Sequence, residues 1–178
     1  MDLYQILTTY NYMWSMKEIL IALLILAVTI KSSLFLFRNK RIKASQAITI
    51  PVLIAFFLIV LGSTVFGRMP GLRSYKLMPF WSYGAIIRGD PGILQEVLLN
   101  CVLLFPAGIL LPFVVNKELK WYHGLNIGMV ISGCIELSQL IFCRGLFEFD
   151  DIIHNSLGCM VGCGISSWII KKYNNGKS

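Results

Sequence analysis

Long apolar runs separated by short polar segments dominate the pattern of hydrophobic and polar positions along the chain. A helix needs about 20 apolar residues to cross the hydrocarbon core of a bilayer. Five runs reach that length, and they cover residues 18–37, 44–67, 93–115, 121–143 and 151–170. The pattern therefore predicts an all-α integral membrane protein, built as a bundle of about five transmembrane helices.

The amino-acid composition agrees with a membrane protein. Of the 178 residues, 56% are hydrophobic and 14% are charged, whereas soluble domains carry about 25% charged residues. The net charge of +7 comes from basic residues that are spread over the polar segments. Because they are not gathered into one groove, we expect membrane lipids with anionic headgroups, and no nucleic acid, as partners. The sequence contains no Walker-type glycine loop and no Gly-x-Ser-x-Gly elbow, and we expect no cofactor.

Lysine and arginine in the polar segments predict the orientation, because short cytoplasmic loops are enriched in them. With five spans, residues 38–43, 116–120 and 171–178 fall on one side of the membrane and hold nine basic residues. The opposite side holds six basic residues and nearly all of the acids. We therefore place the N-terminus outside and the C-terminus in the cytoplasm.

The spans also suggest a division of the chain. We expect a two-helix segment over residues 1–67, a core over residues 68–170 and a basic cytoplasmic tail over residues 171–178. The core begins with residues 68–92, whose prolines, glycines and aromatic residues suit a loop on the outer membrane interface. This loop is too short to hold a hydrophobic core of its own.

Polar side chains recur at helical spacing inside the last three apolar runs. Residues three and four positions apart share one face of a helix. The sets are Glu96 with Asn100 on the third run, Glu136 with Gln139 on the fourth, and Asp150 and Asp151 with His154 and Asn155 on the fifth. In the expected topology all of them lie at the same depth, toward the outer surface.

A shared polar cavity that opens outward would explain these side chains, because a charged group that faces lipid costs several kcal/mol. Arg144 and Glu148 would form the rim of the cavity. Basic residues of the outer loop could close over it, and these are Arg73, Lys76 and Arg88. Cations above carboxylates favour an anionic or zwitterionic ligand.

Small residues and prolines predict how the last three helices pack. Gly158 and Gly162 form a small-xxx-small face that lets a neighbouring helix approach closely. Three glycines of the fourth run are candidates for the same role, namely Gly124, Gly128 and Gly133. In the third run, Pro106 and Gly108 lie near the middle, where a proline frees a carbonyl and kinks a helix.

Four stretches of the sequence together resemble the VanZ-like family of small bacterial membrane proteins. They are "RSYKLMPF" (73–80), "NCVLLFPAGILLP" (100–112), "ELSQL" (136–140) and "RGLFEFDDIIHNSLGCMVG" (144–162). The resemblance implies a multi-pass protein of the bacterial cytoplasmic membrane, associated with tolerance of teicoplanin-type glycopeptide and lipoglycopeptide antibiotics. Three positions depart from the pattern of the family, namely Lys76, Glu148 and His154.

The resemblance and the polar spacing together give three classes of candidate residue. The ligand-binding candidates are Arg73, Asn100, Gln139, Arg144, His154 and Asn155. The candidates for general acid–base catalysis, should the protein be an enzyme, are Glu136, Asp150 and Asp151. The structural candidates are Pro79, Phe105, Pro106, Gly108, Gly158 and Gly162. No metal site is predicted, because the spacing of the acids and His154 fixes neither a ligand count nor a geometry.

Three functions stay open at this point. The protein binds the headgroup of a lipid-linked envelope component or cell-wall precursor, or it is an enzyme that modifies such a molecule, or it is a lipid transporter or scramblase. Two simpler interpretations stand beside them. Asp150 and Asp151 would cap the helix they begin, and Glu136 and Gln139 would join neighbouring helices by hydrogen bonds.

Overall fold

The computed structural model describes residues 15–175. The elements are helices α1 (Met16–Arg38) and α2 (Ala44–Leu61), a π-helical turn (Gly62–Phe66), strand β1 (Ser74–Lys76), helices α3 (Trp81–Ile87), α4 (Pro91–Leu103), α5 (Phe105–Val115) and α6 (Trp121–Phe142), strand β2 (Leu146–Glu148) and helix α7 (Phe149–Asn175). The two short strands pair with each other.

Five helical segments within the described residues are long and apolar enough to cross a membrane. They are Met16–Arg38, Ala44–Phe66, Pro91–Val115, Trp121–Phe142 and Phe149–Tyr173. Each coincides with one of the apolar runs, so the prediction of about five spanning helices is confirmed. The orientation and the division at residues 67 and 170 stay predictions, and residues 176–178 of the expected tail lie outside the described part of the chain.

The third span is interrupted where the sequence predicted a kink. Helix α4 ends at Leu103, and α5 begins at Phe105 with Pro106 in its first turn. Proline has no N–H to donate and disfavours helical geometry at the residue before it, so a helix boundary is favoured at this position. Pro106 therefore divides the span into two helices.

The described residues form two compact units by their internal packing. The first unit comprises residues 15–75 and 137–147, and the second comprises residues 76–136 and 148–175. In the first unit α1 packs on α2, and most apolar side chains of α1 stay exposed, whereas most of those of α2 are half-buried. Exposed leucine and isoleucine over the full length of a helix suit a lipid environment.

The core of the second unit lies where α4 and α5 pack against α7. Leu104, Ala107, Cys159 and Cys163 are completely buried there. A side chain at Gly108 would overlap the carbonyl group of Cys159. The helices therefore approach one another closely enough for backbone atoms to touch.

Glycines of α7 and α6 permit the same close approach. A Cβ at Gly158 would overlap the carbonyl oxygen of Cys101, and one at Gly162 would overlap that of Phe105. Gly124 and Gly128 of α6 lie against Cys163, Cys159 and Ser156 of α7. The packing expected for these four glycines is present. A Cβ at Gly133 would meet no packed neighbour within 4 Å, so its assignment to the packing face was wrong.

The segment over residues 68–92 is more ordered than a surface loop. It contains β1 and the short helix α3, which the sequence pattern did not predict. Pro79 lies exposed between them. Phe80, at the start of α3, has a left-handed backbone with φ of 61°. Such a conformation is strained for a bulky residue and persists only when its surroundings hold it.

Candidate functional site

Three carboxylate side chains from separate elements converge in the second unit. Glu96 on α4, Glu148 at the end of β2 and Asp151 in the first turn of α7 each place an oxygen within 4.8 Å of the other two. Glu148 is only 4% exposed, whereas Asp151 is half-buried and Glu96 is exposed. We call these residues the carboxylate cluster. Like charges this close repel one another, so the cluster favours a ligand with positive charge or several hydrogen-bond donors.

Two residues that the sequence singled out hold members of the cluster. Asn100 lies one helical turn after Glu96 and donates from Nδ2 to Oδ1 of Asp151 at 2.6 Å. Glu136 of α6 is 2% exposed, and its Oε2 accepts the backbone N–H of Glu148 at 3.1 Å. Around the cluster, Asn100 therefore connects α4 to the start of α7, and Glu136 connects α6 to the end of β2.

Asp150 is not a member of the cluster and caps a different helix. Its Oδ1 accepts the backbone N–H of Phe80 at 2.5 Å, and its Oδ2 accepts the N–H of Ser82 at 3.0 Å and the hydroxyl of Ser82. These N–H groups belong to the first turn of α3, where backbone donors have no partner within the helix. The prediction that Asp150 caps its own helix was therefore wrong, because the carboxylate caps α3 instead.

His154 and Asn155 make buried hydrogen bonds within the second unit. Nε2 of His154 lies 3.1 Å from the hydroxyl of Tyr83, and Asn155 donates from Nδ2 to Oγ of Ser132 at 2.9 Å. Both side chains are 1% exposed. His154 thus joins α7 to α3, and Asn155 joins α7 to α6. The sequence had raised this type of contact between helices only for Glu136 and Gln139.

The other three ligand-binding candidates belong to the first unit. Gln139 donates to the carbonyl of Thr64 at 3.2 Å, and Arg144 donates to the carbonyl of Phe66 at 2.6 Å. Carbonyls in the last turn of a helix lack partners and carry partial negative charge, so an amide and a guanidinium are suitable donors. Arg73 is exposed just before β1. Gln139 and Arg144 stabilise the end of the second span.

The sequence interpretation did not include two members of the cluster among its site residues. Glu148 had been placed on the rim of the polar cavity, and Glu96 had been placed in that cavity by its helical spacing from Asn100. That spacing was the available signal, because it puts both side chains on the face of α4 that meets Asp151. Within the described residues, the three cluster carboxylates have a spacing that suits hard cations, which prefer oxygen ligands.

Comparison with known proteins identifies similar sequences. The model of the VanZ/LLP1 family matches residues 19–170, most of the chain. Protein VanZ from Enterococcus faecium is 29% identical over 105 residues, which amount to 59% of this chain and 60% of that protein. The alignment thus spans less than two thirds of the relative. No solved structure matches the chain significantly.

Proposed function

Because the chain belongs to the VanZ/LLP1 family, we propose that it lowers the susceptibility of bacteria to teicoplanin-type glycopeptide antibiotics by binding a lipid-linked envelope component. The protein lies in the cytoplasmic membrane and takes up the polar headgroup in the second unit. The carboxylate cluster receives amine or hydroxyl groups of that headgroup. Shielding or redistributing the component limits the access of the antibiotic.

The observation that supports this proposal is the convergence of Glu96, Glu148 and Asp151 within 4.8 Å. A buried carboxylate beside two others is costly in a membrane protein unless the charges are paired or solvated. Natural chains retain such groups mainly at sites that bind ligands or move ions. The exposed carboxylate of Glu96 gives the cluster an open side. A headgroup with several donors can reach the cluster from there.

The proposal is tested with three matched variants expressed in a susceptible bacterium. Glu148→Gln and Asp151→Asn remove charge from the cluster and preserve side-chain size. Glu118→Gln makes the same chemical change at an exposed position between α5 and α6. Membrane abundance and the minimum inhibitory concentration of teicoplanin are measured for every variant. The envelope lipids that copurify with each variant are identified as well.

We expect the wild-type chain and Glu118→Gln to raise teicoplanin tolerance and to retain one envelope component. Glu148→Gln and Asp151→Asn lose both properties at normal abundance. If the cluster variants keep full tolerance and retain the same component, the cluster does not bind it. A wild-type chain that reaches the membrane and gives no change in tolerance contradicts the proposed role in resistance.

The second candidate function is an enzyme that modifies an envelope lipid or cell-wall precursor. The buried carboxylate of Glu136 beside the cluster favours it, since such a group can serve as a general base. The two functions differ in their products. A new lipid or precursor that forms with wild type and not with Glu136→Gln establishes catalysis, whereas identical profiles with tolerance lost in the variant support binding alone.

A further inference from the structure

Arginines follow the ends of two membrane spans in the first unit. Arg68 comes two residues after Phe66, which ends the second span, and Arg144 comes two residues after Phe142, which ends the fourth. Arg144 donates from Nη1 to the carbonyl of Phe66 at 2.6 Å, so the two ends lie side by side. The ends of spanning helices lie at the level of the lipid headgroups. Both arginines are therefore at the depth of phospholipid phosphates.

Gly145 positions the guanidinium of Arg68 beside the backbone next to Arg144. A Cβ at Gly145 would lie 2.9 Å from Nη1 of Arg68 and 2.7 Å from Oε1 of Gln139. Gly145 also has a φ of 151°, which residues other than glycine rarely adopt. Arg68 is half-buried. Its guanidinium is therefore held against the turn at Gly145 and does not extend freely into solvent.

Within the described residues, the first unit holds no carboxylate that pairs with these arginines. Its one acid there is Glu18, whose Oε2 accepts the backbone N–H of Ser15 at 2.8 Å. A guanidinium has five N–H donors. Arg144 uses one nitrogen on a carbonyl, and Arg68 has no hydrogen-bond or ion-pair partner in the described part of the chain. The pair therefore presents positive charge and unused donors.

An apolar surface directly precedes the two arginines in the chain. The rings of Phe66 and Phe142 pack with their centroids 5.9 Å apart, and both side chains are exposed. Ile141, also exposed, continues this surface along the fourth span. Aromatic side chains at the end of a span sit where the headgroups meet the acyl chains. The span ends therefore combine cations at the headgroup level with apolar groups that suit acyl chains.

We propose that Arg68 and Arg144 bind the phosphate group of an anionic phospholipid. Two cations without an acidic partner favour a lipid with net negative charge over a zwitterionic lipid. The planar fork of a guanidinium donates two parallel hydrogen bonds to phosphate oxygens. The acyl chains pack on Phe66 and Phe142, which a free phosphate ion would leave uncovered. The sequence singled out Arg144 as a ligand-binding candidate, whereas Arg68 joins it only through the contact of the two span ends.

The experiment uses the full chain in nanodiscs with equal amounts of phosphatidylglycerol and phosphatidylcholine that carry identical acyl chains. Native mass spectrometry then counts the lipids that stay bound after release into detergent. We expect wild type to retain phosphatidylglycerol with roughly tenfold preference, which corresponds to about 1.4 kcal/mol. Equal retention of the two lipids by wild type overturns the proposal. Antibiotic tolerance is not measured here, so the result is independent of the proposed function.

Three variants separate this site from a general attraction between charges. Arg68→Gln removes one guanidinium, and we expect it to lose most of the preference. Arg41→Gln makes the same change in the exposed loop at the other end of the second span and keeps the preference. Gly145→Ala retains every charge, but its Cβ would displace the guanidinium of Arg68, so the preference falls as in Arg68→Gln. Should Gly145→Ala fail to fold, the comparison of Arg68→Gln with Arg41→Gln decides.

Two alternatives give different results in the same experiment. If the arginines only hold the span ends together, Arg68→Gln lowers the melting temperature and leaves the lipid preference unchanged, which refutes the proposal. An equal loss of preference in Arg68→Gln and Arg41→Gln shows a response to net charge alone and refutes it as well. Excess glycerol phosphate, the headgroup without acyl chains, tests the source of the phosphate. Unchanged retention of phosphatidylglycerol supports the lipid, whereas its displacement from wild type overturns the assignment to a lipid.

Discussion

Replacement of Asp150 by alanine tests whether one buried carboxylate holds the start of α3. Asp150 is 2% exposed, and it accepts the N–H groups of Phe80 and Ser82 as well as the hydroxyl of Ser82. Hydrogen bonds to charged groups contribute about 1.5–3 kcal/mol each. With the lower limit of about 1.5 kcal/mol for each bond, the two backbone bonds alone stabilise this turn by about 3 kcal/mol. The left-handed strain at Phe80 favours opening once they are gone.

Hydrogen exchange of the full chain in detergent measures this stabilisation, because a local opening of lower free energy exposes the amides more often. For Asp150→Ala we expect the amides of Phe80 and Ser82 to exchange roughly 100-fold faster, the factor that about 3 kcal/mol represents. The matched control is Asp90→Ala. Asp90 caps α4 by accepting the N–H of Gly92 at 2.9 Å, so this variant speeds exchange in α4 and leaves α3 unchanged. Equal protection of the α3 amides in wild type and Asp150→Ala would refute the capping role.

Three further predictions concern strain, packing and the carboxylate cluster. The free energy of unfolding should be about 1 kcal/mol higher for Phe80→Gly than for Phe80→Ala, because only glycine adopts a positive φ without strain. Equal free energies of the two variants in chemical unfolding would contradict this prediction. Gly158→Ala should lower the free energy of unfolding by about 1–3 kcal/mol, because the new Cβ would overlap the facing backbone. Gly164→Ala should instead raise the free energy of unfolding by up to about 1 kcal/mol, because its Cβ would meet no packed neighbour within 4 Å. Thermal unfolding that shifts both variants alike would disprove that contrast. A double-mutant cycle of Asn100→Ala and Asp151→Ala should give a coupling of about 0.5–3 kcal/mol, and additive effects would show that the 2.6 Å bond contributes nothing.

Sequence reasoning predicted local features of the fold well and long-range contacts less well. The break at Pro106 followed from proline's missing N–H, and the glycines at 158 and 162 followed from helical spacing. Asp150 was predicted to cap the helix it begins, because that donor set is nearest along the chain. Its actual partners, Phe80 and Ser82, lie about 70 residues earlier. No periodicity in one segment reports such a contact.

The spans themselves were determined by sequence alone. A helix in a bilayer satisfies its backbone hydrogen bonds internally, so about 20 consecutive apolar residues are a sufficient signal. Membership of the VanZ/LLP1 family was likewise visible in four short stretches, and the match over residues 19–170 confirms it. Both depend on residues near one another in the chain.

Only the tertiary structure decided which polar groups share a site. Glu96, Glu148 and Asp151 come from a helix, a strand and another helix, and their convergence depends on how closely glycine-rich faces allow those elements to pack. Spacing along one helix predicts which side chains share a face but not which second helix that face will meet. The carboxylate cluster is therefore a property of helix packing, whereas the membrane spans are a property of the sequence.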